Sequence, residues 1–556
     1  MSGFAATAVD TIRDAAAAVL GDRAAPHVLA ASAAAAAATG AIVFATTARR
    51  TLAATGPANP LPPGPPAWPL VGHLPLLAST NEPDKLIQRL AREYGPVFHL
   101  RLGNVVVVII SSQELAQETL IKRGKVYAGR WAGKVLTFNS EGGQDMAMRQ
   151  YSPRWSHLRK VAHRILTPLK LTQMDAILDA ESLRLVQHVV ATAGEPVEIK
   201  RHLMLYTANI MLAKCLGISY DSPDDPALQE LCQAVLDLFE LGGVGGVEDY
   251  FDSRVLDWAV MRNKRKMLAD IQARIHDGLI LNRLVELKTR LNEEVARGVD
   301  SRADRELCYA EELLLTMDQD ELSMNEIKLL MMDFLFAGID TTAATLLWLL
   351  VHVINDPTHQ ARLQAEAAAI VAAHDRLPSL DDFDSLPYTR AVIKEVTRVS
   401  PVGPLGLPRQ TLEDDTLAGY HIPKGAQVIY NIVGIHDGVY DAEFRPDRWL
   451  DAKSSLGIMD GTITFGAGRR LCPGVHLAAR EMLVLVARLF ACVGVESAKG
   501  DGVKIDMAAT FGLTVLPKET VLIKATVRGP SVRDLVEKVE MASERDADDR
   551  VAQSAE

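Results

Sequence analysis

The chain has 556 residues, of which 48 % are apolar, and it carries a formal net charge of −11. That is ample for a large core, and the acidic balance speaks against nucleic acid as a partner. Five cysteines (Cys215, Cys232, Cys308, Cys472, Cys492) form no C-x-x-C pair, which argues against a disulfide framework, a Cys-rich zinc site and C-x-x-C-H haem attachment.

The first composition shift is at the N-terminus. Residues 1–27 form a mixed-charge segment. Residues 28–48 carry no charge and are long enough for one helical span of a bilayer. Arg49 and Arg50 follow, so the positive-inside rule places the bulk of the chain on the cytoplasmic side of a single-pass anchor. The alternatives are an Ala-rich soluble helix or a targeting peptide. The linker 49–66 ends in LPPGPP, a stiff, helix-resistant spacer.

The catalytic unit is expected over residues 67–528. Residues 98–102 and 105–110 flank Gly103-Asn104 and read as a β-hairpin. Helical periodicity dominates residues 114–386. Strand-like runs return around 427–431 and 514–525. The pattern is mainly α (α+β), with small sheets at the edges. Residues 328–354 are almost wholly apolar apart from Asp333, Asp340 and a few threonines. Two carboxylates make a buried core helix the better reading than a second membrane span. Residues 529–556 are polar and acid-rich, and read as a flexible tail.

The most informative segment is FGAGRRLCPG at residues 465–474. Its glycines permit positive φ and close approach to a flat ligand. Pro473 suits a first helical turn, and residues 475–493 are helical in pattern. Cys472 therefore stands at a helix N-terminus, where the dipole and free N–H groups favour a thiolate. Arg470, two residues earlier, is placed to meet a carboxylate. On the residues alone, a buried structural cysteine in a turn is the alternative.

Phe465, Gly468, Arg470, Cys472 and Gly474 match F-x-x-G-x-R-x-C-x-G, and the chain resembles the cytochromes P-450 of the microsomal eukaryotic type. The resemblance implies the cytochrome P-450 fold, a helix-rich haem domain with small edge β-sheets, haem b as cofactor, and Cys472 as axial ligand of its iron. Such a ligand pushes electron density that favours O–O cleavage. The implied activity is a monooxygenase acting on a hydrophobic small molecule, with electrons from NADPH through a flavoprotein reductase. The implied location is the endoplasmic reticulum membrane. A haem-thiolate isomerase or dehydratase, or a non-catalytic haem sensor, is the alternative.

Other segments fit the same family pattern. Glu395 and Arg398 form E-x-x-R on one helix face. By resemblance they join Arg448 of FRPDRW in a buried structural triad that holds the cysteine loop. Ala337-Gly-Ile-Asp-Thr-Thr342 resembles the oxygen-binding helix motif. The Thr341 hydroxyl competes for the carbonyl of Ala337 and is expected to open the helix. Gly338 is expected to leave room above the haem. Asp340 and Thr341 are then the proton relay. Trp155 and Arg159, one turn apart, can grip a carboxylate; by resemblance they and Arg409 contact haem propionates. Pocket walls are implied at 138–146, 238–247, 334–342, 402–407 and 511–513. The reductase is expected to dock on the basic helix around Trp155, with Arg154, Lys160 and Arg164 as its contacts.

Overall fold

A computed structural model describes residues 60–243, 245–298, 305–450, 461–500 and 502–529. The expected anchor at 28–48 and most of the tail lie outside them.

Eleven described α-helices exceed ten residues; one is Asn282–Ala296. The other ten are α1 (Pro83–Tyr94), α2 (Pro153–His163), α3 (Asp175–Ala191), α4 (Ile199–Leu216), α5 (Pro226–Leu241), α6 (Arg254–Ile271), α7 (Met324–Asn355), α8 (Pro357–His374), α9 (Pro387–Val399) and α10 (Val475–Cys492). α7 is 83 % buried over its most apolar window, so the one described helix apolar enough for a membrane is a core helix. Its start is fixed by a capping box: Ser323 Oγ accepts from the Glu326 N–H, and Glu326 Oε2 accepts from the Ser323 N–H. α4 packs along α7 closely enough for the Thr207 hydroxyl to donate to the Ile339 carbonyl at 2.7 Å. α2 begins in the same economical way, with Ser152 accepting from the Trp155 N–H and Pro153 in the first turn.

The strands lie at the edges. β1 (Val97–Leu102) and β2 (Val105–Ile110) pair antiparallel with Leu102 opposite Val105, which is the expected hairpin. Gly103 is needed there twice over: its φ is +52°, and a Cβ would meet the Tyr250 carbonyl at 2.4 Å. With β3 (Gly129–Arg130), β5 (Arg409–Gln410) and β8 (Gln427–Tyr430) they form a five-stranded sheet in the order β1-β2-β8-β5-β3. β4 (Pro196–Glu198), β9 (Val493–Ser497) and β12 (Leu522–Val527) make a three-stranded sheet, in the order β4-β12-β9. Two hairpins, β6 (Asp415–Leu417) with β7 (Tyr420–Ile422) and β10 (Ala509–Phe511) with β11 (Val515–Pro517), complete the inventory. The expected strand at 514–525 is therefore two strands, β11 and β12, interrupted by the polar residues Lys518, Glu519 and Thr520.

Candidate active site

α7, the cysteine loop and the segment between α1 and α2 enclose one large cavity of about 430 Å³. Ala337, Gly338 and Thr341 face it from α7, and Cys472 and Gly474 face it from the loop. Phe465 closes that loop by accepting the Cys472 N–H at 2.9 Å. Gly468 has φ +67° and lies so close to Leu120 that a Cβ would meet its carbonyl at 1.9 Å. Gly474 is different. Its φ is ordinary, and a Cβ there would meet no protein atom within 4 Å. Its bareness leaves cavity rather than accommodating protein.

Burial pushes the Cys472 thiol up, against the Gly474 N–H and the nearby Arg159 charge. A coordinated metal ion reverses that balance by deprotonating a thiol outright.

Four guanidiniums border the cavity: Arg130, Arg159, Arg409 and Arg470. Desolvation pushes Arg409 down to about 10 and Arg470 down to about 9; repulsion from Arg159 adds to both, and repulsion from Arg409 adds to Arg470. Arg470 donates to the carbonyls of Ala128, Met146 and Arg149, and its guanidinium lies 4.2 Å from the Trp155 ring centre. Arg159 donates to the Leu471 carbonyl. Trp155 has one donor, and it is engaged with the Met146 carbonyl at 3.0 Å. Its contribution here is therefore the ring that Arg470 stacks on. Arg409, 6 % exposed, makes no side-chain hydrogen bond among the described residues. A buried guanidinium without a partner is costly. The arrangement calls for an anionic ligand.

Thr341 donates its hydroxyl to the Ala337 carbonyl at 2.6 Å, but α7 runs unbroken through the expected opening. A carbonyl has two lone pairs and can take both bonds. Gly338 also differs from expectation. A Cβ there would strike Met211 of α4 at 2.6 Å, so the glycine admits a neighbouring side chain. Asp340 is wholly buried and is absent from the cavity lining. One of its oxygens, Oδ2, accepts from the Thr514 hydroxyl at 2.5 Å; the other, Oδ1, has no partner. Burial pushes this carboxyl up.

Glu395 and Arg398 are both buried. Glu395 accepts from Arg398 at 2.8 and 3.0 Å, from Arg448 Nε at 3.0 Å, from the Arg445 N–H at 2.8 Å and from Trp449 Nε1 at 2.8 Å. The tryptophan that stands in FRPDRW thus supplies a donor.

Several groups escaped the sequence reading. Arg130 is buried at the cavity and gave no signal beyond a lone Gly-Arg. Asp145 and Asp333 meet at the wall, where Asp333 accepts the Met146 N–H at 2.8 Å and Asp145 the Met148 N–H at 2.7 Å. Burial and their mutual contact push Asp333 well up. Glu481 of α10 lines the cavity; burial pushes it up to about 8, with the Thr342 hydroxyl pulling the other way. A lone acid in the apolar run of α10 was the available clue. Arg154 and Arg164, read as docking contacts, are engaged within the chain. Arg154 Nε donates to Glu326 at 2.8 Å, and Arg164 pairs with Asp320. Lys160 is exposed.

The family model for "Cytochrome P450" matches residues 62–524. The chain belongs to the cytochrome P450 family. Flavonoid 3'-monooxygenase of Arabidopsis thaliana is 31 % identical, covering 82 % of this chain and 90 % of the relative. Geraniol 8-hydroxylase of Swertia mussotii is 29 % identical over 82 % of this chain and 91 % of that protein. A zebra fish cytochrome P450 solved with progesterone has a TM-score of 0.68 at 27 % identity, covering 80 % and 99 % of the two chains. This P450 is a haem-thiolate monooxygenase of small organic molecules.

Proposed function

We propose that Cys472 is the thiolate that binds haem iron, and that this P450 oxygenates a hydrophobic small molecule with electrons from NADPH through a flavoprotein reductase. The observation that carries the assignment is the buried, unpartnered Arg409 guanidinium in the same cavity as Cys472. Arg159, Arg409 and Arg470 hold the haem carboxylates. Trp155 buttresses Arg470. Ala337 and Gly474 border the cavity with little bulk and admit a flat ring, and Phe465 braces the loop. When bound, haem supplies the centre at which molecular oxygen is reduced and split. The chain itself excludes water, orients the substrate and manages protons, the last through Asp340 and Thr341. The substrate wall includes Leu238, Phe239, Phe334, Val402 and Leu513, a mostly apolar set suited to a flavonoid-like or terpenoid-like molecule.

Residues 28–48 act as the anchor, 49–66 as the linker and 67–528 as the haem domain of a protein on the endoplasmic reticulum membrane. What supports a membrane-facing surface is a set of exposed apolar side chains: Trp68 (52 %), Val255 (77 %) and Trp258 (63 %). The entry of the chain lies in that neighbourhood. Val71 accepts the Gly103 N–H, and Tyr250 accepts the Asn104 N–H.

The deciding experiment is Cys472→Ala. The reduced carbon monoxide complex is expected to lose its long-wavelength Soret band. A variant that keeps the band overturns the assignment.

A further inference from the structure

We propose that Thr514 is a positioning residue that holds the Asp340 carboxyl in place from the substrate wall of the cavity and sets its readiness to give up a proton. The inference rests on the relay role given to Asp340 above.

The placement is unusual for a proton-handling acid. Asp340 is wholly buried on α7 and does not border the cavity. Thr514 does border it, beside Leu513. The 2.5 Å bond from the Thr514 hydroxyl is the hydrogen bond Asp340 makes, and its second oxygen, Oδ1, is buried without a partner. A carboxyl in that state has a choice of orientations with no other donor to select among them. The Thr514 hydroxyl selects one.

Thr514 is itself held firmly. It sits at the tip between β10 and β11, and three walls grip that tip. The Leu513 N–H donates to the Phe239 carbonyl of α5 at 2.8 Å. The Val515 N–H donates to the Val402 carbonyl at 2.8 Å. Trp348 of α7 donates its indole N–H to the Val515 carbonyl at 2.9 Å. Phe239, Val402 and Leu513 all line the cavity. The donor that fixes Asp340 is thus mounted on the surface a substrate touches.

The electrical surroundings are sparse. Lys200 of α4 favours the charged form of Asp340, and Cys232 of α5 feels its charge. Against burial, the Thr514 hydroxyl is the foremost influence favouring the carboxylate. Removing a donor to the charged form raises the acid's midpoint.

The test uses holoenzyme carrying Thr514→Val, Thr514→Ser or Asp340→Asn, each checked first for its reduced carbon monoxide band. In infrared difference spectra of the ferric protein, the Asp340 carbonyl band is the one that Asp340→Asn removes. Its midpoint is expected to move upward in Thr514→Val by on the order of one pH unit, the size of one hydrogen bond to a charged group. Thr514→Ser is expected to keep the original midpoint. In parallel, peroxide released per NADPH, measured with a P450 reductase, is expected to rise several-fold in Thr514→Val and in Asp340→Asn. An unmoved midpoint in Thr514→Val overturns the proposal and leaves the relay standing. Unchanged peroxide release in Asp340→Asn overturns the relay, while the infrared midpoint still decides whether Thr514 governs Asp340.

Discussion

Glu395 and Arg409 are both buried charges, and their surroundings are opposite. Glu395 accepts five hydrogen bonds from four residues, three of them from the two guanidiniums of Arg398 and Arg448. Arg409 makes no side-chain hydrogen bond among the described residues and faces three other guanidiniums around one cavity. The Glu395 carboxylate is saturated as folded, although Arg398 Nη1 beside it has no hydrogen-bond partner among the described residues. The Arg409 site is complete only when something anionic arrives. A saturated acid marks a structural network here, and four guanidiniums around one cavity mark a binding site for an anion.

The contrast breaks most visibly at Glu395. Glu395→Gln leaves the buried Arg398 guanidinium without a counter-charge and Arg448 with Asp441 alone, a loss of roughly 3–5 kcal/mol. Expression is expected to yield little folded, haem-loaded protein, measured by the carbon monoxide spectrum. A stable holoprotein with slow turnover would move Glu395 from the scaffold to the chemistry.

Arg409→Met sharpens the comparison from the other side. The apoprotein is expected to keep or gain stability, because a buried charge without a partner has been removed. Haem retention is expected to fall about tenfold or more, the worth of one charge-assisted bond. Chemical denaturation of the apoprotein and transfer of haem to a scavenger protein measure the two effects separately. A destabilised apoprotein would contradict the reading of Arg409 as a waiting group.

Glu481 gives a pH signature. Its carboxyl is pushed up to about 8 by burial, above the 4.5 of an exposed glutamate. Between those two values the folded chain binds more protons than the unfolded one. Stability therefore falls as pH rises through that window. Glu481→Gln is expected to flatten the decline by up to one proton's worth of slope, read from denaturation midpoints at pH 5 to 8. An unchanged slope would show that Glu481 is ionised in the fold.

The smallest effect separates Lys160 from Arg154 on α2. Lys160→Glu is expected to slow electron transfer from the reductase a few-fold and to flatten its salt dependence, with peroxide-driven turnover unaffected. Arg154→Glu does something else. Arg154 and Ser323, against burial, hold Glu326 down to about 2 at the start of α7. Reversing Arg154 is expected to lower the melting temperature by a few degrees. Equal kinetic effects of the two substitutions would restore Arg154 as a docking contact.

The sequence was most legible where neighbours in the chain are neighbours in space. The β1–β2 hairpin, the buried α7 and the cysteine loop rest on periodicities and turns within about a dozen residues of chain at a time. It was least legible where a side chain's partner is remote. Trp449 drew no role from its place in FRPDRW, because its indole meets a carboxylate 54 positions away. Arg154 read as a free surface cation, and its partner Glu326 stands 172 positions off. Gly338 read as space for a ring, whereas Met211 on another helix occupies its bare side. Local pattern reports that a residue is special; only the packing says for whom.

α7 has a consequence for how the protein is made. Its 32 residues are mostly apolar and mostly buried in the finished fold, yet the chain emerges from the ribosome from N- to C-terminus. α10, which packs on it, ends at Cys492. At ribosomal speeds of roughly 5–20 residues per second, α7 waits on the order of ten seconds for that neighbour. During this interval it offers the translocation machinery a segment hard to distinguish from a membrane span. Asp333 and Asp340 raise the cost of inserting it. The two acids thus weigh against misinsertion during synthesis and are then folded into the interior.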